Sequence, residues 1–264
     1  MLEAKNCVLD LPAGTVDYIR FGSGPKPLIL IPGVGDGLKT VKGMAWPFAL
    51  LYRHLAKDFT VYVFSRRRTL IPGMSTRDMA DDLNGAMEVL GLFGARVVGV
   101  SQGGMIAQWL ALDHPDKVGK LVLTVTLSRP NATIRNVIAG WLEMADRDDY
   151  RGIMLDTAER SYSKKRLKRA EYRLLGNIGK PKSFERFRIQ ALSCMTHDAY
   201  DLLPHIVCPT LVIGGTEDKI VTGQASVEMA ERICGCQLFM YEGLGHGLYE
   251  EAPDFLKRIS AFCR

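Results

Sequence analysis

Gly99-Val100-Ser101-Gln102-Gly103 is the stretch whose reading decides the fold. It follows an apolar run, Arg96 to Val100, and precedes a helical pattern carrying Met105, Ile106, Trp109, Leu110 and Leu112 that stops at His114-Pro115. A serine with a glycine two residues to either side, placed between strand and helix, marks a nucleophile elbow. The glycines answer a steric need, since side chains at those positions would collide in so tight a turn. The turn lifts the serine hydroxyl above the sheet and aims the Gln102 amide at the place where an oxyanion develops. A dinucleotide loop is excluded, because no Gly-x-Gly-x-x-Gly with an acid about twenty residues later follows the first strand.

Outward from the elbow, short β-branched runs alternate with helical patterns, as in a mostly parallel sheet covered by helices. Cys7 to Leu11 and Val16 to Arg20 flank a Pro-Ala-Gly turn and predict an antiparallel hairpin. Leu28 to Ile31, Val61 to Phe64, Arg96 to Val100, Lys120 to Thr126, Thr210 to Ile213 and Gln237 to Tyr241 complete a set of about eight strands. Met79, Leu83, Ala86, Met87 and Leu90 form one helical stripe, ended by Gly91 and Gly94. The alternation breaks after Leu127. Three helical stripes follow: Ile134, Val137, Ile138 and Trp141; then Leu167, Ala170, Leu174 and Leu175; then Phe184, Phe187, Ala191 and Met195. Residues 128–205 therefore read as a helical lid inserted into a core made of residues 1–127 and 206–264.

Composition sets the class. With 264 residues, 47% hydrophobic and 24% charged, the chain suits one core with an insertion. No apolar run is long enough for a membrane span. Met1 to Asp10 lacks an apolar signal core, and the six cysteines show no Cys-x-x-Cys or metal-ligand spacing. They read as reduced thiols of a cytoplasmic protein. The net charge of +5 lies wholly in the lid, where 15 Lys and Arg face 10 Asp and Glu, while the remainder holds 19 of each. Acids interleave with bases there, so a solvated helical face is expected rather than a nucleic-acid surface. Lys39, Arg67, Arg68 and Arg129 are candidates to meet an anionic substrate group, against ordinary surface placement. The sequence sets no oligomeric state.

Three further stretches join the elbow: Ile31-Pro32-Gly33-Val34-Gly35-Asp36-Gly37, Gly214-Gly215-Thr216-Glu217-Asp218 and Gly243-Leu244-Gly245-His246-Gly247. Together they resemble the α/β-hydrolase family along almost the whole chain, in its order of nucleophile, acid and histidine. The resemblance implies an eight-stranded, mostly parallel sheet flanked by helices, with Ser101 as nucleophile, His246 as base and Asp218 as the acid that orients it. It also implies an oxyanion hole from the Val34 and Gln102 amides, and neither cofactor nor metal. Pro32 stands where relatives often carry a histidine. Glu217 is the rival carboxylate, and Leu127-Ser128-Arg129, where some relatives place the acid, offers none.

The activity so implied is hydrolysis of a small-molecule carboxylic ester or lactone through an acyl-enzyme. The same fold also serves C–C bond hydrolases, aminopeptidases and small-molecule receptors with little turnover. Trp141, Met144, Tyr150, Met154, Tyr162 and Phe187 of the lid are expected to line an apolar pocket or to pack lid on core.

Overall fold

A computed structural model describes residues 2–163 and 165–264. Among them are eight strands: β1 (Lys5–Leu11), β2 (Gly14–Phe21), β3 (Lys26–Ile31), β4 (Phe59–Phe64), β5 (Ala95–Val100), β6 (Val118–Thr124), β7 (Thr210–Gly215) and β8 (Gln237–Tyr241). The helices are α1 (Ala45–Leu51), α2 (Thr76–Val89), α3 (Gln102–Asp113), α4 (Ala132–Asp146), α5 (Tyr150–Ser161), α6 (Lys165–Leu175), α7 (Glu185–Thr196), α8 (Gly223–Arg232), α9 (Leu248–Glu251) and α10 (Phe255–Cys263).

The strands form one sheet in the order β1-β2-β4-β3-β5-β6-β7-β8. The predicted hairpin is present, with Leu11 opposite Gly14, and β2 pairs antiparallel with β4. Every later pairing is parallel. The chain is thus an α/β protein with a mostly parallel sheet, and parallel strands need covered faces. On one face α2 and α3 bury Leu83, Met87, Ile106 and Leu110. On the other, Phe59, Val61, Phe255 and Ile259 close the core beneath α10. A fully buried side chain such as Phe59 contributes roughly 1.5–3 kcal/mol.

One strand is displaced from its predicted bounds, starting at Val118 rather than Lys120. β6 ends at Thr124 rather than Thr126, because Val125 adopts φ 42°. A β-branched residue there is strained. The Val125 N–H still donates to the Ile213 carbonyl at 2.9 Å.

Between β6 and β7 the chain runs through α4 to α7. Asn131 caps α4, its Oδ1 accepting from the Ile134 N–H at 2.9 Å. The stripes on α4 and α7 are buried as expected, at Ile134, Val137, Ile138, Trp141, Phe187 and Ala191. That on α6 is not. Ala170, Leu174 and Leu175 are exposed, and the side chain of Leu167 lies outside the described residues. Among the described residues no helix is long and apolar enough to cross a membrane.

Candidate active site

Ser101 sits at the end of β5 with φ 55° and ψ −122°, a strained backbone for a residue with a side chain. The turn tolerates nothing larger than glycine beside it. A Cβ on Gly99 would meet the Gly103 carbonyl oxygen at 2.4 Å, and one on Gly103 would meet the Ile31 oxygen at 2.0 Å. The Ser101 N–H donates to the Thr124 carbonyl at 2.9 Å. The Thr126 hydroxyl donates to the Ser101 carbonyl at 2.7 Å. The kink at Val125 therefore brings Thr126 against the elbow, a role that sequence reading missed because both residues looked like strand.

The loop after β3 crosses close above the serine. A Cβ on Gly33 would lie 3.3 Å from Ser101 Cβ. Val34 opens a short helical turn, Val34–Gly37, and Gln102 opens α3. First-turn amides have no partner inside their own helix, so neither N–H has an intrahelical acceptor.

His246 is buried, and its Nδ1 is 2.8 Å from Asp218 Oδ2. The other carboxylate oxygen accepts from the Ile220 N–H at 2.8 Å and the Val221 N–H at 3.0 Å. Burial alone would raise the Asp218 pKa. The adjacent imidazole and the two amides outweigh it and hold the carboxyl below its ordinary value. Glu217 is exposed. The loop carrying His246 rests on the end of α5, since a Cβ on Gly245 would approach the Ser161 carbonyl oxygen to 2.8 Å.

Ser101 and His246 line one cavity of about 650 Å³, with Gly33 and Val34. Among the described residues Ser101 Oγ makes no side-chain hydrogen bond, an arrangement common before substrate tightens a site. Trp141, Tyr150, Met154, Tyr162 and Phe187 all reach the cavity, whereas Met144 packs among the apolar residues behind it. Tyr162 and Tyr172 meet through their hydroxyls at 2.8 Å.

Of the four candidate cations only Lys39 lines this cavity. Arg67 is buried beside Asp82, Arg68 pairs with Asp17, and Arg129 approaches Glu228 and the Tyr200 ring. Surface placement or structural pairing accounts for these three. The remaining histidines lie elsewhere. His114 bonds Asp81, His197 is buried against Thr76, and His54 and His205 are exposed. Among the described residues no group of three or more His, Cys, Asp or Glu side chains is gathered as a metal site. Sequence reading also missed two buried charges, Asp36 and Arg66. Arg67 and Arg68 drew a reading as substrate cations or ordinary surface, and nothing local marks Arg66 beside them.

The sequence pattern of the α/β hydrolase fold family matches residues 26–253. The chain belongs to that family and is a hydrolase. It is 30% identical over 263 residues to a Caulobacter sp. (strain K31) protein provisionally named carbamate hydrolase RutD, covering 92% of this chain and 94% of that one. It is 28% identical over 248 residues to the 2-hydroxymuconate semialdehyde hydrolase of Pseudomonas sp. (strain CF600), covering 89% and 86%. Among solved structures it is similar to MGS-M2, an α/β hydrolase enzyme from a Medee basin deep-sea metagenome library. There the TM-score is 0.86 at 18% identity over 97% of this chain and 96% of that one, which speaks for the fold alone.

Proposed function

We propose that this hydrolase cleaves a small-molecule carboxylic ester or lactone, with Ser101 as nucleophile, His246 as general base and Asp218 as its orienting acid. The observation that carries the reading is the 2.8 Å contact between His246 Nδ1 and Asp218 Oδ2, on the wall of the cavity that holds the strained serine. A serine hydroxyl attacks poorly at neutral pH unless a base takes its proton. Asp218 fixes the imidazole tautomer, so that Nε2 is left free to accept that proton, and then stabilises the imidazolium. The Val34 and Gln102 amides take the oxyanion. Each such donor supplies roughly 3–4 kcal/mol of barrier lowering. The acyl-enzyme is released by water, with His246 again as base.

Residues 128–205 act as a lid that shapes the acyl pocket. Its aromatic residues and a volume of about 650 Å³ suit a substrate of more than a few carbon atoms. All six cysteines are free thiols, which supports a place in the cytoplasm.

The relatives' names favour a second reading. A carbamate carbonyl is open to the same serine attack, and a C–C bond beside a carbonyl is a further target for this fold. A panel of p-nitrophenyl esters of rising acyl length, lactones and aryl carbamates, run on wild type and Ser101→Ala, separates the ester, lactone and carbamate readings. The expected result is brisk turnover of esters or lactones that vanishes in Ser101→Ala. Tight binding without turnover makes the protein a receptor instead.

A further inference from the structure

We propose that Arg66 is a positioning residue that locks the two halves of the oxyanion hole to each other and to helix α7. This rests on the reading of Val34 and Gln102 as oxyanion donors. Arg66 lies two residues past β4 and is only 6% exposed. A single nitrogen, Nη2, donates to the Pro32 carbonyl at 2.5 Å and to Gln102 Oε1 at 2.9 Å. Pro32 stands two residues before Val34, and Gln102 follows the serine. One guanidinium edge thus spans the two segments that carry the oxyanion donors.

The same network reaches α7. Gln102 Nε2 donates to the Gln190 carbonyl at 2.6 Å and to Ser193 Oγ at 3.0 Å. Asp36, in the loop with Val34, accepts from the Arg66 backbone N–H at 3.1 Å, Arg186 Nη2 at 2.8 Å and Gln190 Nε2 at 3.3 Å. The loop and α7 approach so closely that a Cβ on Gly37 would lie 2.6 Å from Phe187 Cα. The oxyanion loop, the elbow and α7 form one hydrogen-bonded unit with Arg66 at its centre.

Stability alone is a poor reason for this residue. Among the described residues Arg66 Nε and Nη1, which carry three of its five N–H bonds, have no protein hydrogen-bond partner. Burial of such a cation is costly, and it pulls the Arg66 pKa below its ordinary value despite the attraction of Asp36. What the guanidinium provides is distance. An oxyanion donor acts only within about 2.7–3.1 Å of the developing charge.

The test uses wild type, Ser101→Ala, Arg66→Met, Arg66→Lys, Gln102→Leu and the Arg66→Met/Gln102→Leu pair, with p-nitrophenyl butyrate as substrate and a boronic acid as transition-state analogue. If wild type lacks Ser101-dependent turnover, it is the function reading that fails. Given that turnover, Arg66→Met is expected to lower kcat by about 10- to 100-fold, the cost of a misplacement of about 1 Å. KM should stay within about 2-fold, as for a group acting mainly in the transition state. Boronate affinity falls in parallel. Arg66→Lys recovers most of kcat, because one ammonium reaches both acceptors. The double variant is no worse than the poorer single one. Wild-type kcat in Arg66→Met, a kcat loss that tracks a fall in Tm without rescue by lysine, or additive losses in the double variant would each overturn the proposal. Should Arg66→Met not fold, Gln102→Leu carries the test. It removes the side-chain link and keeps the backbone amide, and wild-type kcat there is equally contradictory.

Discussion

The Gly247 N–H donates to the Ser161 carbonyl at 2.7 Å, tying the loop that carries His246 to the last residue of α5. His246 is therefore held from two sides, by Asp218 through its ring nitrogen and by α5 through its backbone neighbour. The two glycines around it follow from that closeness, since chain from α5 occupies the space their side chains would need.

Gly247→Ala should damage catalysis more than folding. The new Cβ would fall 2.4 Å from Tyr162 Cε1. Relief requires the His246 loop or the Tyr162 ring to shift. The expected loss in kcat is about 10- to 100-fold, with the circular dichroism spectrum unchanged. Steady-state kinetics on a p-nitrophenyl ester check it, and kcat at the wild-type level would show that the contact does not set the histidine.

The two neighbouring carboxylates should differ sharply. Asp218→Asn removes the acceptor that selects the His246 tautomer and is expected to cut kcat by about 10⁴-fold. Glu217→Gln, at an exposed position, leaves kcat essentially as it was. Parallel kinetics on the two variants decide the matter, and the reverse ranking would move the acid.

Among the described residues Lys39 is the basic Lys or Arg side chain at the wall of the cavity, and it is exposed there. For an ester with a free carboxylate at the far end of its acyl chain, Lys39→Met should raise KM by about 2- to 5-fold, the range of an exposed ion pair. A neutral ester of equal size should be unaffected. Equal effects on both esters would remove the residue from recognition.

Asp82 links stability to pH. Burial pushes its carboxyl up to about 6 from the ordinary 3.8, against the attraction of Arg67 at 3.3 Å. The folded state thus holds this proton more tightly than the unfolded chain. The associated stability is fully present below the unfolded value and is lost as pH rises through about 6. Wild type should therefore gain Tm relative to Asp82→Asn as pH falls from about 7 to about 5. A difference that is flat, or that grows in the other direction, would contradict the assignment.

Much of this was legible in the chain before any coordinates, for a physical reason. The elbow, the acid loop and the histidine loop each need glycine where backbone crowds backbone, so each leaves a local mark around Ser101, Asp218 and His246. The strands were equally readable, because parallel strands buried on both faces are continuous apolar runs. What stayed hidden depends on distant partners. Arg66 is buried where Pro32, Gln102 and the Asp36 loop gather about it, and the bend at Val125 goes with the contact of Thr126 to the Ser101 carbonyl. The stripe on α6 is helical, as read, yet Leu175 lies at the wall of the cavity and Ala170 and Leu174 are exposed, so none of the three belongs to a core.

The account stands on the Ser101 hydroxyl being made nucleophilic by His246. Labelling with a fluorophosphonate, followed by peptide mapping in a mass spectrometer, reads that chemistry directly. One adduct on Ser101, absent in Ser101→Ala and strongly slowed in His246→Ala, is the result expected. An adduct on another residue, or labelling of Ser101 at full speed without the imidazole, would contradict it.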